Sequence, residues 1–318
     1  MIRPRGYGLV ELMVALVLGT FIVTAALRAY DAARNARASL DARARLHETA
    51  RHALDLVAAD VRMAGHYGLA GSPIDVDPTL AFPAKCGGAG WVSAVDRAVD
   101  GVNNRYLAQP NCGASGGGAM PGTDVLVVRR ASAVRIEPQR PTVAVPDRSR
   151  VLVVTSRTGG RLFVPAQMGN GIPDGYATAD VAGQPPLADT RALLVHAYYV
   201  STGSTGAART PALRRKLLVS GPDVSDEEVI GGVDDLQVRF GLDDDGDGSV
   251  DRYVEPGTQG AARPRSVVVC LRVVSDARDP ALVRQSLPPC GDRPASVTTD
   301  RRPRLVATRT VALRNGRP

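Results

Sequence analysis

The chain has few aromatic residues and almost no lysine. Aromatic residues make up 4% of its 318 residues, and lysine stands only at Lys85 and Lys216. The formal net charge of +7 is therefore supplied by arginine, and a basic surface attracts phosphate without reading base sequence. The scarcity of aromatic rings argues against the stacking surfaces that bind single-stranded nucleic acids. Nucleic-acid binding is an alternative interpretation of the positive charge, but a nucleic-acid partner is not favoured.

Common catalytic signatures are also missing. The sequence contains no HExxH motif and no P-loop. The segment Gly169 to Gly175 is glycine-rich, but Pro173 interrupts it and it opens no predicted helix, so it does not predict a nucleotide site. His196 is the only histidine well inside the second part of the chain, and its apolar surroundings favour a satisfied strand residue. The sequence predicts a protein that is not an enzyme.

No proline occurs between Pro4 and Pro73, and this absence permits one long helix. Residues 25–64 are rich in alanine and arginine, which favour helix, and Gly65 offers a C-terminal stop. We expect a stalk helix over residues 7–65. One face would pack against a domain because apolar residues recur at three-to-four spacing, at Leu46, Ala50, Leu54, Val57, Val61 and Ala64.

The stalk begins with an apolar segment. Residues 12–27 hold no charged side chain, and the segment predicts one membrane span over about residues 9–29. Glu11 lies near its start, where a carboxylate costs on the order of 2.5–3.5 kcal/mol at mid-bilayer, so a partner is expected. More arginines follow the span than precede it, but large domains translocate largely regardless of charge. We therefore expect a single membrane anchor and an exported head.

Residues 66–318 carry glycine, proline and short β-rich runs, which predict a globular head of antiparallel sheet. The fold class is therefore α+β. Gly113 to Gly122 is interpreted as a surface loop, and the acidic run Asp226, Glu227 and Glu228 as a solvated turn. The predicted strands are Asp124 to Arg129, Val151 to Ser156, Ala192 to Ser201, Leu213 to Ser220, Val233 to Leu242, Arg265 to Ser275 and Leu305 to Arg314.

The four cysteines are Cys86, Cys112, Cys270 and Cys290. An even count in an exported chain indicates disulfides, although four cysteines allow three connectivities. We expect Cys86 to pair with Cys112 and Cys270 with Cys290, because each bond would then close one loop. Free buried thiols are the alternative. A zinc site is disfavoured because no CxxC motif occurs.

An aspartate-rich segment predicts a calcium loop. It reads D-x-D-x-D-G-x-x-D, and calcium prefers hard oxygen ligands at this spacing. The expected ligands are the carboxylates of Asp243, Asp245 and Asp247, the Ser249 carbonyl, and Asp251 directly or through water. The usual glutamate at position twelve is missing, and the flanks look like strands, so we expect a calcium loop between strands. The alternative is an acidic turn.

The leader Met1-Ile2-Arg3-Pro4-Arg5-Gly6 resembles that of type IV prepilins. In that family a dedicated peptidase cuts after the glycine and methylates the new amino terminus, so the resemblance implies a processing site at Gly6 and Tyr7 and retention of the apolar segment. Glu11 then falls at the plus-five position, whose glutamate is thought to meet the terminal amine of a neighbouring subunit. The family usually has Phe and then Thr or Ser where this chain has Tyr7 and Gly8.

Further segments resemble the PilW group of minor pilins: His52 to Leu56, Asp60 to Gly65, Gly232 to Gly241 with the aspartate loop after it, and Thr310 to Asn315. The resemblance implies a pilin-like fold, an inner-membrane anchor with a periplasmic head, and a role in type IV pilus assembly within a priming or tip complex. The implied partners are other minor pilins, the assembly platform and the prepilin peptidase. The alternatives are a J-type pseudopilin of type II secretion and a DNA-binding minor pilin that serves DNA uptake.

Overall fold

The computed structural model describes residues 8–69, 73–82, 86, 89–106, 112–136, 148–167, 173, 176, 188–260 and 262–315. The predicted processing residues Gly6 and Tyr7 and most of the segment Gly169 to Gly175 lie outside these ranges. The chain divides into two compact units, Met1–Arg45 and Leu46–Pro318.

A single helix, α1 (Leu9–Met63), supplies the described part of the first unit and enters the second. Its first part is long and apolar enough to cross a membrane. The large apolar side chains from Leu9 to Leu27 are exposed on the protein, as expected if lipid is their solvent. The hydroxyls of Thr20 and Thr24 donate hydrogen bonds to backbone carbonyls of the preceding helical turn, so these polar groups are satisfied within the segment.

The second part of α1 has a buried stripe. All six residues of the predicted apolar stripe are buried, and Val57 and Val61 are fully so. Burying a valine stabilises the fold by roughly 1.5–3 kcal/mol relative to leaving it exposed. The helix stops where Gly65 adopts a φ of 75°, a conformation that favours glycine, and the Gly65 amide donates to the Arg129 carbonyl. Composition and spacing thus predicted both the packed face and the end of the helix.

The described residues of the second unit are mainly strands, with one short helix, α2 (Ala89–Val92), and a 3-10 turn at Pro165–Gln167. The strands are β1 (Ile74–Val76), β2 (Val99–Val102), β3 (Val125–Ile136), β4 (Leu152–Thr155), β5 (Gly160–Phe163), β6 (Asp189–Ser201), β7 (Ala212–Val219), β8 (Asp223–Gly231), β9 (Val233–Leu242), β10 (Arg252–Val254), β11 (Ser266–Val274), β12 (Gln285–Leu287), β13 (Ser296–Thr298) and β14 (Arg304–Ala312). A long apolar helix with a head of antiparallel sheets confirms the α+β class.

The strands form three sheets. An eight-stranded sheet has the order β1-β5-β4-β6-β3-β2, and the far half of β6 also pairs with β7, which pairs with β8. A four-stranded sheet has the order β10-β9-β11-β14, and β12 pairs with β13. These pairs are antiparallel except for β1 with β5. Each of the seven predicted strands is present: β9 has its predicted limits, β3 runs seven residues beyond its predicted end at Arg129, and the other ends shift by at most three residues.

Two main cores flank the eight-stranded sheet, because alternate side chains of a strand point to opposite faces. Leu126 and Val128 join the stripe of α1 and the inward residues of β9 and β11. Val125 and Val127 instead join a second core that contains Trp91. The carboxyl-terminal part of α1 is therefore an internal element of the head, since it shares one core with both large sheets.

The acidic run at residues 226–228 was wrongly interpreted as a solvated turn. It lies within β8, where cross-strand pairing sets Glu228 opposite Arg214, Glu227 opposite Arg215 and Asp226 opposite Lys216. Asp226 accepts from Arg214 at 2.8 Å and from the lysine ammonium at 2.8 Å. Opposite charges directly across an antiparallel pair stabilise it, which explains how a charged run can form a strand.

Both expected disulfides are present, Cys86–Cys112 and Cys270–Cys290. The first anchors an irregular segment to the second core, and both of its cysteines are buried. The second ties β11 to the turn around Cys290. No free thiol remains among the described cysteines, so the free-thiol alternative is wrong.

Candidate functional site

Asp60 is a buried carboxylate on the packed face of α1. It accepts hydrogen bonds from His196 Nδ1 at 2.5 Å and from the Tyr198 hydroxyl, both on β6. Arg130, on β3, donates to Oδ1 from Nε at 2.9 Å and from a terminal nitrogen at 2.7 Å. One carboxylate on the helix is therefore held by three side chains of the eight-stranded sheet.

The charge of Asp60 is stabilised by these partners. Burial opposes ionisation, but the hydrogen bonds and charges of His196, Tyr198 and Arg130 outweigh it and hold the pKa of Asp60 below its ordinary value. Burial and the adjacent carboxylate raise the pKa of Tyr198. The interpretation of His196 as a satisfied strand residue is confirmed. The cluster fastens α1 to the sheet, and the sequence signal for it was a carboxylate within a buried apolar stripe.

The aspartate loop joins β9 to β10, two strands paired with Leu242 opposite Arg252. The predicted flanking strands are thus present. Asp243 Oδ1 accepts from the Gly246 amide at 2.7 Å, and Oδ2 accepts from the Gly248 amide at 3.0 Å. Both glycines have positive φ angles, 82° and 93°, which let the backbone turn around the carboxylate.

Three of the expected metal ligands lie together. Asp243, Asp245 and Asp247 each offer a carboxylate oxygen, and these oxygens lie within 4.8 Å of one another. Burial opposes ionisation of Asp243, but the amides of Gly246 and Gly248, followed by Arg265, lower its pKa. The loop therefore presents hard, anionic oxygen atoms at a spacing that suits a divalent cation.

The other expected ligands, Asp251 and Ser249, do not belong to the three-carboxylate group. Asp251 Oδ2 accepts from the Asp244 amide at 2.7 Å, which pins the end of the loop to its start. The Ser249 amide donates to Asp247 Oδ1 at 2.6 Å. Glu255, the nearest glutamate to the vacant twelfth position, pairs with Arg239 at 2.9 Å. The three-carboxylate group is therefore the part of the predicted set that the fold brings together.

Glu11 lies in the first turn of α1, where its carboxylate accepts from the Gly8 amide at 3.1 Å. The side chain thus satisfies one of the donors that every helix start leaves free, as in half of a capping box. A negative charge is also favoured at the positive end of the helix dipole. Glu11 therefore stabilises the start of α1 within its own chain, without an intermolecular partner.

The segment Gly113 to Gly117 formally matches GxSxG around Ser115. A nucleophile elbow needs a sharp turn between a strand and a helix. Here the segment lies in an irregular loop with no helix after it, and the Ser115 amide donates to the Tyr199 hydroxyl at 2.9 Å. The predicted surface loop is confirmed, and the match to the motif carries no catalytic geometry.

Two protein-family models match the chain. The model for type IV pilus-assembly protein W matches residues 197–315, and the model for the prokaryotic N-terminal methylation motif matches residues 1–27. The first match covers the end of β6, the aspartate loop and the sheet through β14, and the second covers the leader and the apolar start of α1. Comparisons with individual curated proteins and with solved structures gave no match.

Proposed function

We propose that this chain, which matches the model for type IV pilus-assembly protein W over residues 197–315 and the N-terminal methylation motif over residues 1–27, is a PilW-type minor pilin that acts in the complex that initiates the fibre. In this proposal the helix anchors it in the inner membrane and the head lies in the periplasm, where it joins other minor pilins and the assembly platform. A position at the pilus tip follows if the initiating complex stays at the distal end.

The division of α1 is the observation that carries the proposal. Between Leu9 and Leu27 the helix presents its apolar side chains outward, and Glu11 is its single charged group. From Leu46 onward the same helix is built into the head. The apolar half of α1 can therefore contact lipid first and neighbouring subunits after assembly, while the half from Leu46 onward packs within the head.

Glu11 is the proposed assembly residue. A carboxylate in an apolar setting needs a positive partner, and the methylated amine of a neighbouring Tyr7 would supply one after cleavage at Gly6. The hydrogen bond to the Gly8 amide uses only one of its oxygens, so the other can meet the incoming amine.

The test is the number of pili on cells that express Glu11→Val in place of the native chain. We expect normal processing but at least a tenfold loss of pili, because the neighbour's amine loses its countercharge. Asp31→Ala is the matched control, since it removes a carboxylate from the same helix beyond the apolar stretch, and it should leave pilus number unchanged. Normal pilus number with Glu11→Val would remove the proposed role.

Calcium binding at the aspartate loop is a second part of the proposal. It is supported by the three clustered carboxylates and by the two glycines that shape the loop. Asp243, Asp245 and Asp247 would bind the cation directly, with the Ser249 carbonyl and Asp251 completing the shell. The cation would offset the mutual repulsion of these carboxylates and hold the β9–β10 connection in one conformation.

The measurement is thermal unfolding of the full chain in detergent at a series of free calcium concentrations. An ion that binds only the folded state stabilises it by about 2.7 kcal/mol at a hundredfold excess over its Kd. We expect Asp245→Ala to reduce this dependence. Asp244→Ala is the control, because Asp244 pairs with Arg252 and does not belong to the three-carboxylate group. If the melting temperature did not change with free calcium up to ~5 mM, the metal site would be refuted.

A further inference from the structure

Within the part of the chain that the structure describes, strand β14 forms one end of the four-stranded sheet and pairs there only with β11. Two hydrogen bonds at the ends of the pair show which residues of β14 bond to β11. The Ser275 amide donates to the Pro303 carbonyl at 2.9 Å, and the Leu313 amide donates to the Arg265 carbonyl at 2.8 Å. In an antiparallel pair the hydrogen-bonded positions alternate. With the observed register, odd-numbered residues of β14 bond to β11 and even-numbered residues point their amides and carbonyls to the outer edge.

The structure caps one end of this outer edge. The side-chain amide of Gln285 donates to the Arg304 carbonyl at 2.6 Å and accepts from the Arg304 amide at 2.9 Å. A glutamine amide thus stands where the next strand would pair. Among the described residues no such partner meets the outward amides of Val306, Thr308 and Thr310. This edge offers three consecutive pairing positions, and Thr308 and Thr310 are exposed.

A groove of about 340 Å³ lies beside this edge. Its walls are α1 and β14, and its apolar surface comes from Ala50, Leu54, Leu305 and Ala307. The side chains of 305, 307 and 309 all point to the α1 side, since they alternate with those of the even positions. A strand added along β14 would send every second side chain into the groove.

The charge around the groove is positive. Arg51 and Arg309 line it together with His47, and none of the residues lining it is acidic. Asp55, just outside, pairs with Arg309, and Arg51 Nε lies 3.8 Å from the same carboxylate. Two arginines thus share one aspartate, and the Arg51 side chain is 86% exposed. The surplus positive charge complements an acidic occupant and would repel a second copy of the same groove.

We propose that β14 is a docking edge that accepts an extended, acidic segment of a partner protein as a fifth strand of this sheet. Main-chain hydrogen bonds to Val306, Thr308 and Thr310 supply affinity, an apolar side chain fills the groove, and a carboxylate meets Arg51 and Arg309. Only the identification of the partner as another pilus component rests on the proposed function.

Photo-crosslinking of the full chain in its native cells tests the edge. A photoreactive amino acid at position 308 should form an adduct whose linked peptide is an acidic segment of another protein. Thr310→Pro should lower the adduct yield at least tenfold, because proline lacks the outward amide and edge strands tolerate it. Thr310→Val, which keeps the amide, should leave the yield unchanged.

Two charge-reversal variants test whether the positive charge of the groove contributes to partner binding. Arg51→Glu should lower the yield severalfold, whereas Arg43→Glu, the same change two turns earlier on α1 and outside the groove, should not. An adduct with a second copy of this chain, a basic linked peptide, an unchanged yield with Thr310→Pro, or no adduct would each overturn the proposal. If deleting the chain leaves pili intact, the assembly role fails and the docking edge is still decided by the adduct yield. If deletion removes pili and Thr310→Pro restores them fully, the edge is not used in assembly, and the identification of the partner as a pilus component fails.

Discussion

Replacing Asp60 by alanine should destabilise the head far more than any exposed aspartate replacement on the same helix. The carboxylate is 6% exposed and is the common acceptor for His196, Tyr198 and Arg130. Without it, the Arg130 guanidinium keeps a hydrogen bond to the Ala131 carbonyl but loses its counter-ion, and His196 and the Tyr198 hydroxyl lose this acceptor. The cost is therefore that of an uncompensated buried charge, and not that of one lost hydrogen bond.

Removing one partner of a buried ion pair costs about 3–5 kcal/mol. For a unit of this size, 1 kcal/mol shifts the melting temperature by about 2–4 °C, so Asp60→Ala should lower it by roughly 10 °C. Asp55→Ala is the matched control, because Asp55 lies five residues earlier, is half exposed and pairs with Arg309 and Arg51 at the surface. Its effect should be small, since water screens such pairs.

The assay is thermal unfolding of the full chain in detergent, followed by the near-ultraviolet circular dichroism of the buried Trp91. The pH dependence adds a second criterion. The folded pKa of Asp60 is depressed, so its contribution is present above the ordinary value of 3.8 and is lost as pH falls toward the folded value. The difference between native protein and Asp60→Ala should thus shrink as pH falls below ~4. Equal melting shifts for Asp60→Ala and Asp55→Ala would refute the reasoning.

Three further predictions concern other parts of the chain. Mass spectrometry of mature protein should find a methylated Tyr7 at the amino terminus, and Gly6→Ala should block cleavage; an intact Met1 in assembled pili would contradict this. Burial raises the pKa of Asp124 to about 6, although hydrogen bonds from the amides of Asn104 and Val238 oppose the rise. The stability of the native protein relative to Asp124→Asn should therefore fall by up to about 3 kcal/mol between pH ~4 and ~6. If denaturant titration gave the same stability difference between the two proteins at both pH values, the raised pKa would be excluded. The Cys270–Cys290 bond closes a loop with a sequence separation of 20, so replacing both cysteines by alanine should cost roughly 2–4 kcal/mol in the same titration; unchanged stability would count against a structural role.

Local sequence patterns were sufficient for the elements whose causes are local. The three-to-four spacing from Leu46 to Ala64 predicted which face of α1 is buried, and β9 matches its predicted limits of Val233 and Leu242. The prepilin leader and the aspartate spacing were likewise readable, because each is a short pattern with its own chemistry. Both family matches agree with the pilus-assembly function expected from the prepilin leader and the PilW-like segments, whereas calcium binding stays a prediction.

Non-local pairing explains what the sequence did not reveal. Asp226 to Glu228 form a strand because arginines and a lysine lie directly opposite on β7, and no local rule identifies that register. Asp60 meets His196 across 136 positions of sequence. The free edge of β14 is a property of the sheet order, which becomes visible only when β11 is seen on its other side.

The number of pili on cells that lack this chain tests the central claim most directly. A minor pilin of the initiating complex is needed in few copies but at the first step, so deletion should remove nearly all pili. The native gene should restore them, and the Glu11→Val variant should not. Wild-type numbers of pili on the deletion strain would contradict the account.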